Sequence, residues 1–283
     1  MKNILIVGKE SNINSGLSLN LEGFNIAYTS RRSFDNSSVF YFDILDDDFL
    51  KKFDEILVEI NPSIILWCIG QTNIEECQSN ASTYDLNVSR TNSLINLISQ
   101  RNINFIYFSS NAVFACDSEI SNDKEKYSPT CKYGKQKVEV ERYIFKKNFN
   151  SAIIRLSKLI SFNDGFLKAI NERQQSKDKI RLFSDVYIAP ITYNYLNNFL
   201  EILILNFKPG IFNLSADFIL NYMDLIELLV ERNLIKLNLS LCEKTKNSDA
   251  LFKPRYPKLP MIDTLNIMNF DYLTKDQFIR DLS

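Results

Sequence analysis

Asn104-Phe105-Ile106-Tyr107-Phe108-Ser109-Ser110-Asn111-Ala112-Val113-Phe114 and, after a polar loop, Ser128-Pro129-Thr130-Cys131-Lys132-Tyr133-Gly134-Lys135-Gln136-Lys137 decide the fold of this chain. The first part is an apolar run ending in hydroxyls and small residues, the pattern of a buried strand reaching a sheet edge. The second opens a helical pattern over Tyr127 to Lys147. Tyr133 and Lys137 stand at i and i+4, so their side chains share one helix face.

Outward from this stretch, apolar runs recur at Asn3 to Val7, Phe24 to Tyr28, Ser63 to Ile69, Ile103 to Phe108 and Ser151 to Leu156. Helical spacing is expected at Gly16 to Leu21, Asp46 to Ile60 with Asp46 as N-cap, Ile74 to Asn80 and Thr83 to Ser99. Tyr41 to Leu45 reads as a short extended piece. Strand and helix thus alternate, and the strands are too apolar to show a polar face. The fold class is α/β, a doubly wound parallel sheet of Rossmann type. Residues 1–160 read as the dinucleotide-binding part.

Beyond residue 160 the rhythm loosens. Helices are expected at Phe166 to Gln174, Tyr193 to Leu205, Met223 to Arg232 and Thr274 to Leu282. Strands are expected at Ile180 to Phe183 and Gly210 to Leu214, with loops at Asp185 to Pro190 and Lys244 to Asp263. Residues 161–283 read mainly as a smaller substrate-binding region, with a segment near 185–215 returning to the sheet.

Composition narrows the chemistry. The chain of 283 residues carries 33 basic and 34 acidic residues, which gives no global attraction to nucleic acid or membrane. It has no histidine, so His triads and His-based zinc sites are excluded. Its five cysteines form no Cys-x-x-Cys, which fits a reducing, cytoplasmic setting and no metal. No run is long enough to span a membrane.

Proton chemistry must then use Tyr, Lys, Asp, Glu, Cys or Ser, and Tyr133 is the candidate to weigh first. A free phenol titrates near ~10 and is a poor acid at neutrality. At about 4 Å and an effective dielectric of about 20, a lysine cation attracts a phenolate by roughly 4 kcal/mol. Desolvation opposes this. The net expectation is a phenol brought towards neutral pH by Lys137. Ser110, at the carboxyl edge of its strand, is where open α/β sheets hold their ligands. A serine, a tyrosine and a lysine so arranged suit carbonyl reduction, with hydride from a cofactor and a proton from Tyr133.

These motifs resemble those of the extended short-chain dehydrogenase/reductases, in particular the dTDP-4-dehydrorhamnose reductase group of nucleotide-sugar 4-ketoreductases. That group's Ser-Thr-Asp-Tyr-Val-Phe is similar to Ser109-Ser110-Asn111-Ala112-Val113-Phe114. Its Pro-x-x-x-Tyr-Gly-x-x-Lys matches Pro129 through Lys137, and its Arg-Thr-Ser resembles Arg155-Leu156-Ser157. Pro190-Ile191-Thr192, Gly210 to Ser215, and Pro254-Arg255 with Asp263 echo its later segments in order.

The resemblance implies Ser110, Tyr133 and Lys137 as the catalytic trio, with Tyr133 and Lys137 also meeting the cofactor. It implies cofactor contacts at Gly8, Asp43, Ile44, Cys68, Ile69, Gly70 and Asn87. The group's Gly-x-x-Gly-x-x-Gly turn is departed from: Ser11 and Asn14 stand at the second and third glycine positions. Arg31 and Arg32 follow the second strand, where no acidic residue waits for a ribose diol, and guanidinium groups suit a 2′-phosphate. NADPH is therefore the expected cofactor, with NADH the alternative; the plainer reading of the arginines is an exposed basic turn. The implied substrate contacts are Ser110, Asn111, Lys158 and Arg255. Lys158 replaces the group's usual aromatic and is either a phosphate contact or a solvated lysine.

The implied activity is NADPH-dependent reduction of the 4-keto group of a nucleotide-linked deoxysugar, with products that serve polysaccharide biosynthesis. A homodimer is compatible with this. Two alternatives stay open. One is an epimerase of the same fold; the other is a non-catalytic regulatory or binding homologue, suggested by the eroded glycine turn.

Overall fold

A strand buried on both faces must find cover on both, and a parallel sheet with helices on each side provides it. The computed structural model describes residues 1–122, 126–162, 165–246 and 251–282. The sheet strands are β1 (Lys2–Val7), β2 (Phe24–Ser30), β3 (Val39–Tyr41), β4 (Ile64–Trp67), β5 (Asn104–Ser110), β6 (Ser151–Leu156) and β7 (Gly210–Leu214). They lie in the order β7-β6-β5-β4-β1-β2-β3, all parallel. The winding reverses between β1 and β4, so a crevice opens at their carboxyl ends.

Alternate residues of each strand serve opposite faces. On one face Leu5, Val7, Ile65, Trp67 and Phe105 pack under α1 (Phe49–Ile60), α3 (Thr91–Ser99) and α4 (Lys132–Lys147). On the other, Ile4, Ile6, Leu66, Ile106 and Phe108 pack with α6 (Tyr193–Leu205) and α7 (Tyr222–Glu231). Further helices are α2 (Ile74–Ser79), α5 (Gly165–Gln175), α8 (Ile262–Met268) and α9 (Lys275–Leu282), with a single helical turn at Ser82–Tyr84. A π-helical turn, Asp85–Arg90, leads into α3. Late in the chain, Lys158–Ile160 pairs with Pro190–Thr192, Tyr187–Ile188 with Leu220–Asn221, and Ile180–Phe183 with Cys242–Thr245.

Several boundaries differ from expectation, each for a physical reason. The helix expected from Gly16 to Leu21 is absent; only a 3₁₀ turn forms, at Asn14–Gly16. Leu17, Leu19 and Leu21 turn inward while Ser18, Asn20 and Glu22 are exposed. That is the period of extended chain, not of a helix. Helix α1 starts at Phe49, and Asp46 does not cap it but pairs with Lys52 at 2.8 Å.

Helix α4 starts at Lys132, where the Cys131 sulfur accepts the Gly134 amide at 3.5 Å. Pro129 holds the preceding residue away from helical backbone. Gly134 lets the first turn of α4 rest on the chain after β5, since a Cβ there would lie 2.0 Å from the Ala112 carbonyl. The loop expected over 244–263 ends in Ile262–Met268, a helix that packs on β7.

Candidate active site

The carboxyl ends of the strands open into one cleft of about 830 Å³. It runs from Arg31, Asp43 and Ile44 past Gly8, Cys68, Ile69 and Gly70 to Ser110, Asn111, Tyr133, Lys137 and Lys158. The sequence-predicted catalytic trio is thus gathered at one place.

Ser110 is the last residue of β5, in extended backbone, and its Oγ accepts the Ala112 amide at 3.2 Å. Tyr133 lies in the first turn of α4 and is 8% exposed. Burial pushes its phenol above the ordinary value, and a hydrogen bond with Ser110 works the other way. The lowering expected from Lys137 therefore does not prevail. The lysine amine directs its hydrogen bonds to β5: it donates to the Phe108 carbonyl at 2.8 Å and to the Tyr107 hydroxyl at 3.2 Å. It lies 5.8 Å from the Tyr133 ring centroid. Desolvation draws the Lys137 amine down to about 8, opposed by the charge of Glu141.

Behind the trio sits a buried ion pair. Arg155 of β6 meets Glu141 of α4 through Nη2 at 2.7 Å and Nε at 3.1 and 3.2 Å. Glu141 also accepts Ser109 at 2.5 Å and Tyr127 at 2.7 Å. A carboxylate with these partners can stay charged away from water. The network joins the strand carrying Ser110 to the helix carrying Tyr133 and Lys137. Glu141 lies one helical turn beyond Lys137 on the same face, a spacing visible in the sequence; its partners were not.

The turn after β1, where cofactor contacts were expected, forms without the second and third glycines. Gly8 has φ +104°, open to glycine at no steric cost. Asn14 donates from Nδ2 to the Lys9 carbonyl at 2.8 Å, so its side chain closes the turn instead of facing the cleft. Ser11 lines the cleft and its Oγ accepts the Asn14 amide at 3.3 Å. The amides of Glu10, Asn12 and Ile13 have no hydrogen-bond partner among the described residues, and all three residues line the cleft. Such a set of free donors suits a pyrophosphate.

Arg31 lines the cleft; Arg32 is exposed outside it, its amide on Ser30 Oγ at 2.8 Å. Contrary to expectation, an acidic group does stand at the end of β2: Glu10 reaches across from the turn and accepts the Ser30 hydroxyl. Asp43 accepts the Leu45 amide at 2.9 Å. Cys68 is buried and its thiol is pushed up to about 12. Asn87 is buried behind Gly70, where it bonds both backbone groups of Gln71 and the Gln136 side chain of α4 at 2.7–2.9 Å.

Of the residues expected to meet substrate, Asn111 is buried and donates to the Pro257 carbonyl at 3.4 Å. Arg255 is exposed, with its amide on the Cys116 carbonyl; the adjoining Pro254 and Pro257 line the cleft instead. Among the described residues no group of His, Cys, Asp or Glu is assembled to hold a metal ion, and no helix is long and apolar enough to cross a membrane. The donors among the cleft-lining residues, the backbone amides of Glu10, Asn12 and Ile13 and the Lys137 amine, suit the chemistry of a dinucleotide.

Solved structures share this architecture. The dTDP-4-dehydrorhamnose reductase of Bacillus anthracis, in complex with NADP, has a TM-score of 0.85 at 18% identity, covering 100% of this chain and 98% of that one. The Clostridium acetobutylicum dTDP-4-dehydrorhamnose reductase ortholog has 0.80 at 17%, covering 99% and 96%. The UDP-glucose 4-epimerase of Thermotoga maritima, with UDP-glucose, has 0.81 at 14%, covering 99% and 97%. Comparison with curated proteins gave no match. The family model described as RmlD substrate binding domain matches residues 1–269, and the chain belongs to that family.

Proposed function

We propose that this oxidoreductase-type enzyme reduces the 4-keto group of a nucleotide-linked deoxysugar with NADPH. The observation that carries the reading is the convergence of Ser110, Tyr133 and Lys137 in the cleft that also holds the free amides of the β1 turn. When bound, the cofactor supplies hydride to the carbonyl carbon. Ser110 and Tyr133 hold the carbonyl oxygen between two hydroxyls. With its pKa raised by burial, Tyr133 keeps its proton at neutral pH and releases it only as charge grows on that oxygen. Lys137 contributes a cation at the cleft wall, held by β5. Arg31 supports NADPH over NADH, and Lys158 suits the substrate diphosphate.

The test is NADPH and NADH oxidation against a panel of nucleotide 4-keto-6-deoxysugars. Tyr133→Phe should lose about a thousandfold or more in turnover while keeping ligand affinity, within the range of a lost proton donor. Full turnover in that variant rejects the assignment. The absence of a helix after β1 favours a second reading, a binding homologue without turnover. A wild-type chain that fails to bind NADPH or NADH in a fluorescence titration would support it.

A further inference from the structure

The connection from Gly8 to Gly23 contains a single 3₁₀ turn and no α-helix. A Rossmann turn ordinarily leads into a helix whose internal hydrogen bonds fix the turn and whose N-terminus faces the pyrophosphate. Here that scaffold is missing, and long irregular segments within a compact domain are uncommon unless they serve a function. Something else must fix the free amides of Glu10, Asn12 and Ile13.

Helix α6, far off in sequence, contacts this connection along its length. Tyr193, Asn197 and Glu201 recur every four residues and form one stripe along it. The Tyr193 hydroxyl donates to the Asn12 carbonyl at 2.6 Å. Asn197 donates to the Gly16 carbonyl at 3.2 Å and accepts the Ser18 amide at 3.3 Å. Glu201 accepts the Asn20 amide at 2.7 Å. Backbone groups that would bond within a helix are thus satisfied by side chains of another.

The stripe stands on a rigid base. Leu196, Phe199, Leu200 and Leu203 on the same helix are fully buried. Gly16 completes the contact, because a Cβ there would lie 2.4–2.6 Å from atoms of the Tyr193 ring.

We propose that Tyr193, with Asn197 and Glu201, positions the pyrophosphate-binding turn in place of the missing helix. The proposal rests on the dinucleotide reading above. These are positioning residues; they act through the turn they hold. Tyr193 matters most, since its bond falls on Asn12, in the middle of the residues of this turn that line the cleft.

The experiment compares wild type with Tyr193→Phe and Gly16→Ala, the latter displacing the same ring from the other side. A neutral hydrogen bond is worth about 1 kcal/mol, so NADPH and ADP-ribose affinity should fall roughly fivefold in Tyr193→Phe. Affinity for 2′-AMP, which lacks the pyrophosphate, should stay the same. The KM for NADPH should rise more than kcat falls. Amide hydrogen exchange over residues 9–20, measured without cofactor, should quicken in both variants while the sheet strands stay protected. Unchanged exchange there, or equal weakening of 2′-AMP and ADP-ribose, overturns the proposal. A wild-type chain that binds no dinucleotide would instead reject the reductase reading, and the exchange comparison would still decide what holds the turn.

Discussion

The Lys137 ammonium donates to the Tyr107 hydroxyl at 3.2 Å, so a tyrosine of β5 engages the lysine that was expected to act on Tyr133. Desolvation is the main cost of that placement and brings the amine down to about 8 from 10.5. Below pH about 8 both folded and unfolded chains carry this proton, and the folded state bears the whole cost. Between about 8 and 10.5 the unfolded chain holds a proton the folded chain has released, so stability from this group rises with pH. Urea unfolding of wild type and Lys137→Met at pH 7 and pH 10 measures it. The stability difference should move in favour of wild type by up to about 3 kcal/mol over that interval. A difference that does not change with pH contradicts the depressed lysine.

Tyr107 itself should tune the reaction without touching substrate. It is buried and lies outside the cleft lining, with its oxygen towards the Lys137 amine. Removing that acceptor disfavours the ammonium further. In Tyr107→Phe the alkaline limb of the pH–rate profile, where Lys137 loses its proton, should move to lower pH by roughly half a unit to one unit. A merely structural role would lower activity at every pH and leave the limb in place.

The parts of this fold legible in sequence are those set by local pattern. Ser151 to Leu156 and Tyr193 to Leu205 have the bounds their apolar spacing implies, because each buries a continuous face. The Tyr-x-x-x-Lys helix is legible for the same reason. Gly16 to Leu21 misleads, since its three leucines suit a helix by composition while their alternation belongs to extended chain. Bonds between distant residues have no local signature: Glu10 with Ser30, and Tyr193 with Asn12. The direction of the Tyr133 pKa depends on burial and on where the lysine points, and both are decided by packing.

Glu141 and Arg155 offer a sharper test of what positions the trio. Both are nearly inaccessible to water, at 0% and 2%. Removing one partner strands the other charge, which costs about 3–5 kcal/mol. Glu141→Gln should therefore lower unfolding stability by that amount, although it preserves shape. Combined with Arg155→Met, the loss should be smaller than the sum of the two single losses, by about 2 kcal/mol or more. Additive losses in urea unfolding would mean that the pair does not act as a unit.

On the proposed NADPH reading, cofactor choice should turn on two groups near the end of β2 that pull in opposite directions. Arg31 lines the cleft and can meet a 2′-phosphate, whereas Glu10, held on Ser30, sets a carboxylate beside the same position. A charge-assisted bond to phosphate is strong, yet Arg31 is exposed and solvent screens it. Arg31→Ala should accordingly raise the KM for NADPH about tenfold, or about 1.4 kcal/mol, and leave NADH nearly unchanged. Glu10→Gln should work the other way, improving NADPH roughly threefold by removing a repulsion weakened by water and salt. That improvement should shrink at high ionic strength, because the repulsion acts through solvent. Equal effects on NADPH and NADH in both variants would mean that neither side chain faces the 2′ position, and the preference for NADPH would lose its support.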